Sequence, residues 1–359
     1  MRGALALARR GLGRVAPNPA VGCVIARDGK VLARGWTQPG GRPHAEAEAL
    51  GRAGAAAKGA TAYVTLEPCS HHGKTPPCDQ ALIAAGVARC VVALEDPDPR
   101  VAGRGLANLK AAGVAVELGL CREEAEAVNA GYLLQRREGR PLVALKLAAT
   151  LDGRIATAAG ESRWITGEAA RARAHLLRAR HDAVLVGAGT AREDDPRLDV
   201  RLPGLEAVRP LRVVLDGSLG LPLSHDLVTR AAARPSCLVT GAEVAETDLA
   251  PYRDAGMAIL QVGRDPDGRL DLPEALRALG GLGLTRVLVE GGGRLAAGLL
   301  KAGLVDELHW FRAPKVIGGD GRPAVAALDL EALSAAPGFT SVGLESLDGD
   351  VLETFRRSA

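Results

Sequence analysis

The sequence is poor in aromatic side chains. Phe, Trp and Tyr make up 3% of its 359 residues, although hydrophobic residues as a class reach 47%. Its cores must therefore be built from Ala, Leu and Val. This composition argues against a single-stranded nucleic-acid binder, which needs aromatic platforms for stacked bases. Long apolar runs are also missing, so no segment reads as a transmembrane helix. The opening MRGALALARRGLGR has only a short apolar run and no cleavage site, so it reads as an amphipathic helix and not as a signal peptide. Charge of one sign is missing too. The formal net charge is +3 with no Lys/Arg block, so nothing calls for a polyanionic partner. The six cysteines are dispersed, unlike a secreted disulfide framework. Cys23, Cys90, Cys121 and Cys237 sit in or beside apolar runs and read as small buried hydrophobes. The expectation is a cytoplasmic protein without a nucleic-acid or membrane partner.

A chain of this length exceeds one ordinary core. Strand-like runs (AVGCVIA, TAYVTLE, RCVVALED, VAVELGL) alternate with helix-like ones (HAEAEALGRAGAA, PPCDQALIAAG, LANLKAAG). Gly86 and Gly113 each stop a helix just before a valine-bearing strand. Such alternation predicts an α/β fold. A long helical segment then leads to EGRP at 138–141, read as a linker. A second α/β series follows, through PLVALKLAATLDGRIA, DAVLVGAG, LRVVLDG, SCLVTG, RVLVEGGG and ELHWFRAPKVIGG. The expected domains are 1–139 and 140–359.

Chemistry concentrates in LEPCSHHGKTPPC, residues 66–78. Cys69 follows a strand, and Cys78 opens a helix after two prolines, where the helix dipole favours a thiolate. A catalytic zinc takes three protein ligands and keeps one position open. His44, at the start of a helix after Pro43, can supply the third. Glu46 lies two positions on. On a regular helix these two side chains point about 200° apart, so Glu46 is not expected as a fourth ligand. A carboxylate beside the metal can instead take a proton from water and pass it to a leaving nitrogen. This order is similar to that of zinc nucleobase deaminases, with H-x-E followed by P-C-x-x-C. Here, however, eight residues separate Cys69 from Cys78. A structural zinc site, a redox pair, or a ligand set built on His71 and His72 are the alternatives.

Four stretches together, APNPAVGCVIARDGKVLARGW, GGRPHAEAEAL, TLEPCSHHGKTPPC and EDPDPRVAGRGLANLKAAG, resemble the deaminase half of the bifunctional riboflavin-biosynthesis deaminase/reductase family. The family's long loop accounts for the wide cysteine spacing, and the resemblance continues through the second half of the chain. It implies a cytidine-deaminase-like α/β/α domain followed by a dihydrofolate-reductase-like α/β domain. It implies one zinc ion on His44, Cys69 and Cys78, with Glu46 as proton shuttle. Asn18, His71, Lys74 and Asp96 are then expected to meet a pyrimidinone carrying a ribose phosphate. The implied first reaction is zinc-hydroxide deamination of 2,5-diamino-6-ribosylamino-4(3H)-pyrimidinone 5′-phosphate. Asp98 stands where the family usually has Asn. A carboxylate against a phosphate is unfavourable, so Asp98 is left out of the expected site.

The second half lacks a G-x-G-x-x-G after its first strand, which removes the usual dinucleotide fingerprint. Two glycine turns after strands, VLVGAGTAREDDPRL and VLVEGGGRLAAGLL, let a backbone approach a phosphate. The family resemblance implies NADPH here, with reduction of the ribosyl chain to ribityl. Ala148, Trp164, Thr190 and Asp194 are expected to line the cofactor, and Gly292, Gly293 and Arg294 to hold its phosphates. Ser162, Arg178, Leu198, Arg201 and Glu290 are expected to meet the substrate. No metal or flavin is required for this half, because the nicotinamide carries the hydride. Thr150 replaces a usual Ser. Gly217 stands where a hydroxyl residue usually follows Asp216. A small-molecule substrate and a homo-oligomer complete the implied picture. The rival readings are a nucleic-acid base deaminase fused to a reductase and a non-catalytic zinc-binding protein.

Overall fold

The computed structural model describes residues 1–71 and 76–358. The chain divides into two compact units, Met1–Gly139 and Arg140–Ala359.

The first unit runs α1 (Arg2–Ala8), β1 (Gly22–Arg27), β2 (Lys30–Trp36), α2 (Ala45–Ala53), β3 (Thr61–Val64), α3 (Cys78–Ala84), β4 (Arg89–Val92), α4 (Arg104–Ala111), β5 (Ala115–Leu118) and α5 (Arg122–Glu138). Its sheet has the order β2-β1-β3-β4-β5. Strand β1 is antiparallel to both β2 and β3, whereas β3, β4 and β5 run parallel. The segments that leave β3 and β4 therefore emerge side by side at one edge. The core is made of small aliphatics, including Ile25, Ala45, Ala49, Ala62, Val64, Leu82, Val92 and Leu109.

Small residues let the helices approach the sheet backbone to backbone. A Cβ on Gly22 of β1 would lie 1.9 Å from the Ala4 carbonyl oxygen of α1. A Cβ on Gly35 of β2 would lie 2.2 Å from the Ala45 carbonyl oxygen of α2. Neither neighbouring atom is a movable side chain, so the position of α2 depends on glycine at 35.

The second unit runs β6 (Leu142–Thr150), β7 (Arg154–Ala156), α6 (Glu168–Ala179), β8 (Ala183–Gly187), α7 (Ala188–Asp194), β9 (Leu211–Leu215), α8 (Asp226–Thr229), β10 (Ser236–Gly241), α9 (Glu246–Asp254), β11 (Ala258–Val262), α10 (Leu272–Gly281), β12 (Arg286–Val289), α11 (Gly293–Lys301), β13 (Glu307–Ala313), β14 (Arg322–Pro323), β15 (Phe339–Leu347) and β16 (Asp350–Arg357). Nine strands form one sheet in the order β11-β10-β9-β8-β12-β6-β13-β16-β15. The strands from β11 to β13 in that order are parallel, and β16 and β15 add antiparallel strands at one edge. Both faces of the parallel part are covered, as such sheets require. The period of two shows in the packing. Leu185, Val213 and Val239 join one core, while Val184, Val186, Val214 and Leu238 join the other. A part-buried Arg140–Asp306 pair, with 2.7 and 3.0 Å contacts, ties the start of this unit to the entry of β13.

Three readings change in detail. Cys121 is half-buried at a left-handed turn before α5 (φ 60°), so it does not join the fully buried cysteines. The opening helix ends at Ala8, because 3₁₀ and turn geometry replace it through residue 15. The strand expected over ELHWFRAPKVIGG ends at Ala313.

The close approach at Gly35 generates a prediction. Gly35→Ala is expected to push α2 away from β2, destabilising the first unit by about 3 kcal/mol and weakening metal retention at His44. Thermal unfolding and metal content per chain are the measurements.

Candidate active sites

The first cluster forms where α2, the end of β3 and the start of α3 meet. His44 is the N-cap of α2 in an extended conformation (φ −70°, ψ 160°). It is therefore not on the helix, and the wheel angle between His44 and Glu46 does not apply. Glu46, in the first turn, is 3% exposed. The His44 Nδ1 lies 3.6 Å from Cys69 Sγ and 3.4 Å from Cys78 Sγ. The backbone N–H of Cys78, the first residue of α3, donates to Cys69 Sγ at 3.4 Å. All three ligand atoms lie within 4.8 Å of one another.

A zinc ion fits this donor set. Tetrahedral zinc with bonds of about 2.3 Å to sulfur and about 2.0 Å to nitrogen separates those atoms by about 3.6 Å. The electrostatics agree. Cys69 is pulled down to about 4, first by a hydrogen bond from Cys78. The same hydrogen bond, with burial, pushes Cys78 well above its usual range. The two sulfurs thus share one proton, which a dication can replace. Burial, and then the Cys69 charge, push Glu46 up to about 7. Among the described residues, the cluster has three protein ligands, which leaves one tetrahedral position free of them.

Around this cluster, Asn18 is half-buried against Gly41. A Cβ on Gly41, which has φ +81°, would come within 1.8 Å of the Asn18 amide nitrogen. His71 is half-buried, and its Nδ1 is buried without a partner among the described residues. Lys74 and His72 lie outside the described residues. Asp96 is buried and accepts from the Tyr132 hydroxyl at 3.0 Å and the Asp98 N–H at 2.9 Å. Burial raises its carboxyl above the usual range. Asp98 is held by Arg100, with contacts of 3.0 and 2.6 Å, and by Arg136 at 3.8 Å. Its charge is compensated within its own loop, and Arg100 first of all holds it down at about 2.

The second cluster sits at the carboxyl edge of the parallel strands β8, β12 and β6, where open α/β sheets collect ligands. Burial alone would raise Glu290, but Arg178 and Lys146 overcome it and hold the carboxylate at about 2. Arg178 donates to both Glu290 oxygens, at 2.6 and 3.0 Å, and to the Asp199 carbonyl oxygen at 2.9 Å. Lys146 lies 3.8 Å from Glu290. Arg201 reaches His175 Nε2 at 3.4 Å, and Leu198 is buried nearby in the chain with φ +49°. Lys146 and His175 were not legible in the sequence. One sits inside an apolar strand and the other in an arginine-rich helix, with no spacing signal.

The glycine turns face each other here. Gly292 caps α11, and a Cβ on it would lie 3.5 Å from Thr190 Oγ1 in α7. A Cβ on Gly293 would meet the Pro323 carbonyl oxygen at 2.6 Å. Gly293 is therefore needed for close packing against the 323–326 backbone, while Gly292, at the start of α11 and beside Thr190, keeps the N-terminal backbone of that helix free of a side chain, as a dinucleotide phosphate requires. Arg294 is exposed, Ser162 is half-buried and Ala148 is half-buried on β6. Trp164 is 62% exposed, with the Arg171 guanidinium 4.6 Å over its ring. Asp194 pairs with Arg163 at 3.6 Å. The Thr150 hydroxyl accepts from Arg154 N–H at 2.9 Å and donates to Asp152. At Gly217 the space for a side chain faces Arg264, 3.2 Å from where a Cβ would be, and the Ser218 hydroxyl turns back to Asp216.

The shared thiol proton generates a prediction. Zinc uptake by the metal-free chain near pH 8 is expected to release about one proton per chain from Cys78, and affinity should fall as pH is lowered. Titration with zinc in weak buffer reads both. Uptake without proton release would remove Cys78 from the ligand set.

Both units match known protein families. Residues 1–94 match the cytidine and deoxycytidylate deaminase zinc-binding region, and residues 141–352 match the RibD C-terminal domain. The riboflavin biosynthesis protein RibD of Escherichia coli K12 is 44% identical, covering 98% of this chain and 96% of its own. A solved structure of Acinetobacter baumannii RibD superposes with a TM-score of 0.90 at 38% identity, over 100% of this chain and 98% of that one. The solved Thermotoga maritima diaminohydroxyphosphoribosylaminopyrimidine deaminase/5-amino-6-(5-phosphoribosylamino)uracil reductase gives a TM-score of 0.87 at 35% identity, over 100% and 97% of the two chains. With a His-Cys-Cys cluster on one α/β unit, a glycine-and-carboxylate cluster on the other and relatives matched end to end, the chain belongs to the RibD family of riboflavin-biosynthesis proteins.

Proposed function

We propose that this chain catalyses two successive steps of riboflavin biosynthesis. Met1–Gly139 deaminates 2,5-diamino-6-ribosylamino-4(3H)-pyrimidinone 5′-phosphate. Arg140–Ala359 then reduces the ribosyl chain of the product to ribityl with NADPH. The observation that carries the first step is the cluster of His44, Cys69 and Cys78 beside a buried Glu46.

When bound, zinc supplies the Lewis acidity that makes a water molecule nucleophilic at neutral pH. The residues do the rest. Glu46 takes the proton of the attacking water and delivers it to the departing amino nitrogen. Asn18 and Asp96 hold the pyrimidine, while His71 and Lys74 meet the ribose phosphate. NADPH, when bound, supplies the hydride of the second step. Gly292, Gly293 and Arg294 receive its phosphates, with Ala148, Trp164, Thr190 and Asp194 along its length. Ser162, Arg178, Leu198 and Arg201 orient the sugar phosphate, and Glu290 is kept ionised by Arg178 and Lys146. Placement of this kind removes most of the entropic barrier to hydride transfer.

The enzyme works in the cytoplasm as a homo-oligomer, in line with its family. Among the described residues no helix is long and apolar enough to cross a membrane. Scarce aromatics speak against an RNA-base substrate, and a gel shift with tRNA tests that rival. A closed structural zinc site needs a fourth protein ligand, and metal spectroscopy counts it.

Glu46→Gln is expected to retain zinc and lose ammonia release by at least about 10²-fold, with NADPH oxidation on the deaminated intermediate unchanged. Wild-type deamination by this variant would remove Glu46 from its role. A fragment from Arg140 to Ala359 is expected to keep NADPH-dependent reduction. A folded fragment that binds no NADPH, tested by fluorescence titration, would overturn the division of labour.

A further inference from the structure

Glu67 stands two residues before Cys69 and is 3% exposed. Its carboxylate accepts four backbone N–H groups from a different segment. One oxygen takes Asp96 at 3.2 Å and Gly103 at 3.0 Å. The other takes Gly105 at 2.9 Å and Leu106 at 3.2 Å, in the first turn of α4. The Glu67 N–H itself donates to the Leu94 carbonyl oxygen at 2.8 Å. Contact is tight on the other side as well, since a Cβ on Gly105 would lie 2.1 Å from the Pro68 carbonyl oxygen. One side chain therefore fastens both ends of segment 96–106 to the strand exit that carries Cys69.

We propose that Glu67 is a positioning residue for deamination, setting the distance between the metal-bearing loop and Asp96. This inference rests on the deaminase reading above. Asp96 is held at three points. Its N–H binds Glu67, and its carboxylate binds the Tyr132 hydroxyl and the Asp98 N–H. Only the first of these refers Asp96 to the metal loop. Tyr132 belongs to α5, and Asp98 belongs to the same segment as Asp96. Glu67 does not reach the reacting atoms through any contact described, so its effect falls on where the substrate is held. A carboxylate is required because all four partners are donors. An amide would turn its NH₂ toward two N–H groups, losing two accepted bonds and adding a repulsion.

The test is Glu67→Gln in the full-length zinc-loaded chain, with Glu67→Asp as the variant that keeps both acceptor oxygens. Four quantities are read: zinc per chain, NADPH oxidation with the deaminated intermediate, and kcat and KM for ammonia release. For Glu67→Gln we expect zinc and reductase turnover as in the wild type, KM raised at least about tenfold and kcat within about threefold. Glu67→Asp should fall between the two. An unchanged KM overturns the proposal. So does loss of zinc with kcat falling in proportion, which would make Glu67 a support of the metal site alone. If Glu67→Gln does not fold, Glu67→Asp carries the test, and a wild-type KM in that variant overturns the proposal. No ammonia from the wild-type chain would instead overturn the deaminase reading, and this inference with it.

Discussion

Helices in the first unit lie against the sheet at backbone contact, and the metal cluster depends on that closeness. A ligand on a helix cap is useful only if the cap cannot drift. With few aromatic side chains to fill space, alanine and glycine bring α2 down until its carbonyl at Ala45 meets Gly35. His44, at the cap, and Glu46, in the first turn, are then both held against the two cysteines. The cysteines come from the neighbouring layer, one at the exit of β3 and one at the start of α3. Low aromatic content, the first property visible in the sequence, thus becomes the packing rule that locates the ligands.

Both candidate sites solve the same electrostatic problem by different means. A buried charge is costly unless it is paired or hydrogen-bonded. At the first site, carboxylates are satisfied largely by backbone donors, as at Glu67, or by a short internal pair, as at Asp98. At the second, Glu290 is held by a guanidinium and an ammonium. The difference matters for what each carboxylate can do. One held by backbone donors is fixed in place with its loop. One held between two cations is kept ionised in a site that has positive charge to spare.

The parts of this arrangement that were legible in the sequence are those with a local pattern. The α/β alternation, the H-x-E helix start, the P-C loop and the glycine turns all depend on near neighbours or on residue types with few other uses. What was not legible depends on distant or featureless partners. Glu67 meets backbone N–H groups 29 to 39 positions away, and a backbone donor has no residue type to recognise. Lys146 is hidden in an apolar strand because its counter-charge, Glu290, lies on another strand's exit. His44 caps α2 instead of lying on it, so helical spacing does not set its direction relative to Glu46. Concern over a carboxylate at Asp98 is answered by Arg100 and Arg136, whose roles no local pattern announces.

The proton shared by Cys69 and Cys78 also bears on how the protein is made. Before metal arrives, Cys69 has thiolate character, the form that oxidants attack. Cys78 stands next to it, in position to close a disulfide on any sulfenic acid formed there. The arrangement that welcomes a dication is, when empty, that of a redox pair. An ion bound by both sulfurs would occupy the very atoms that an oxidant attacks.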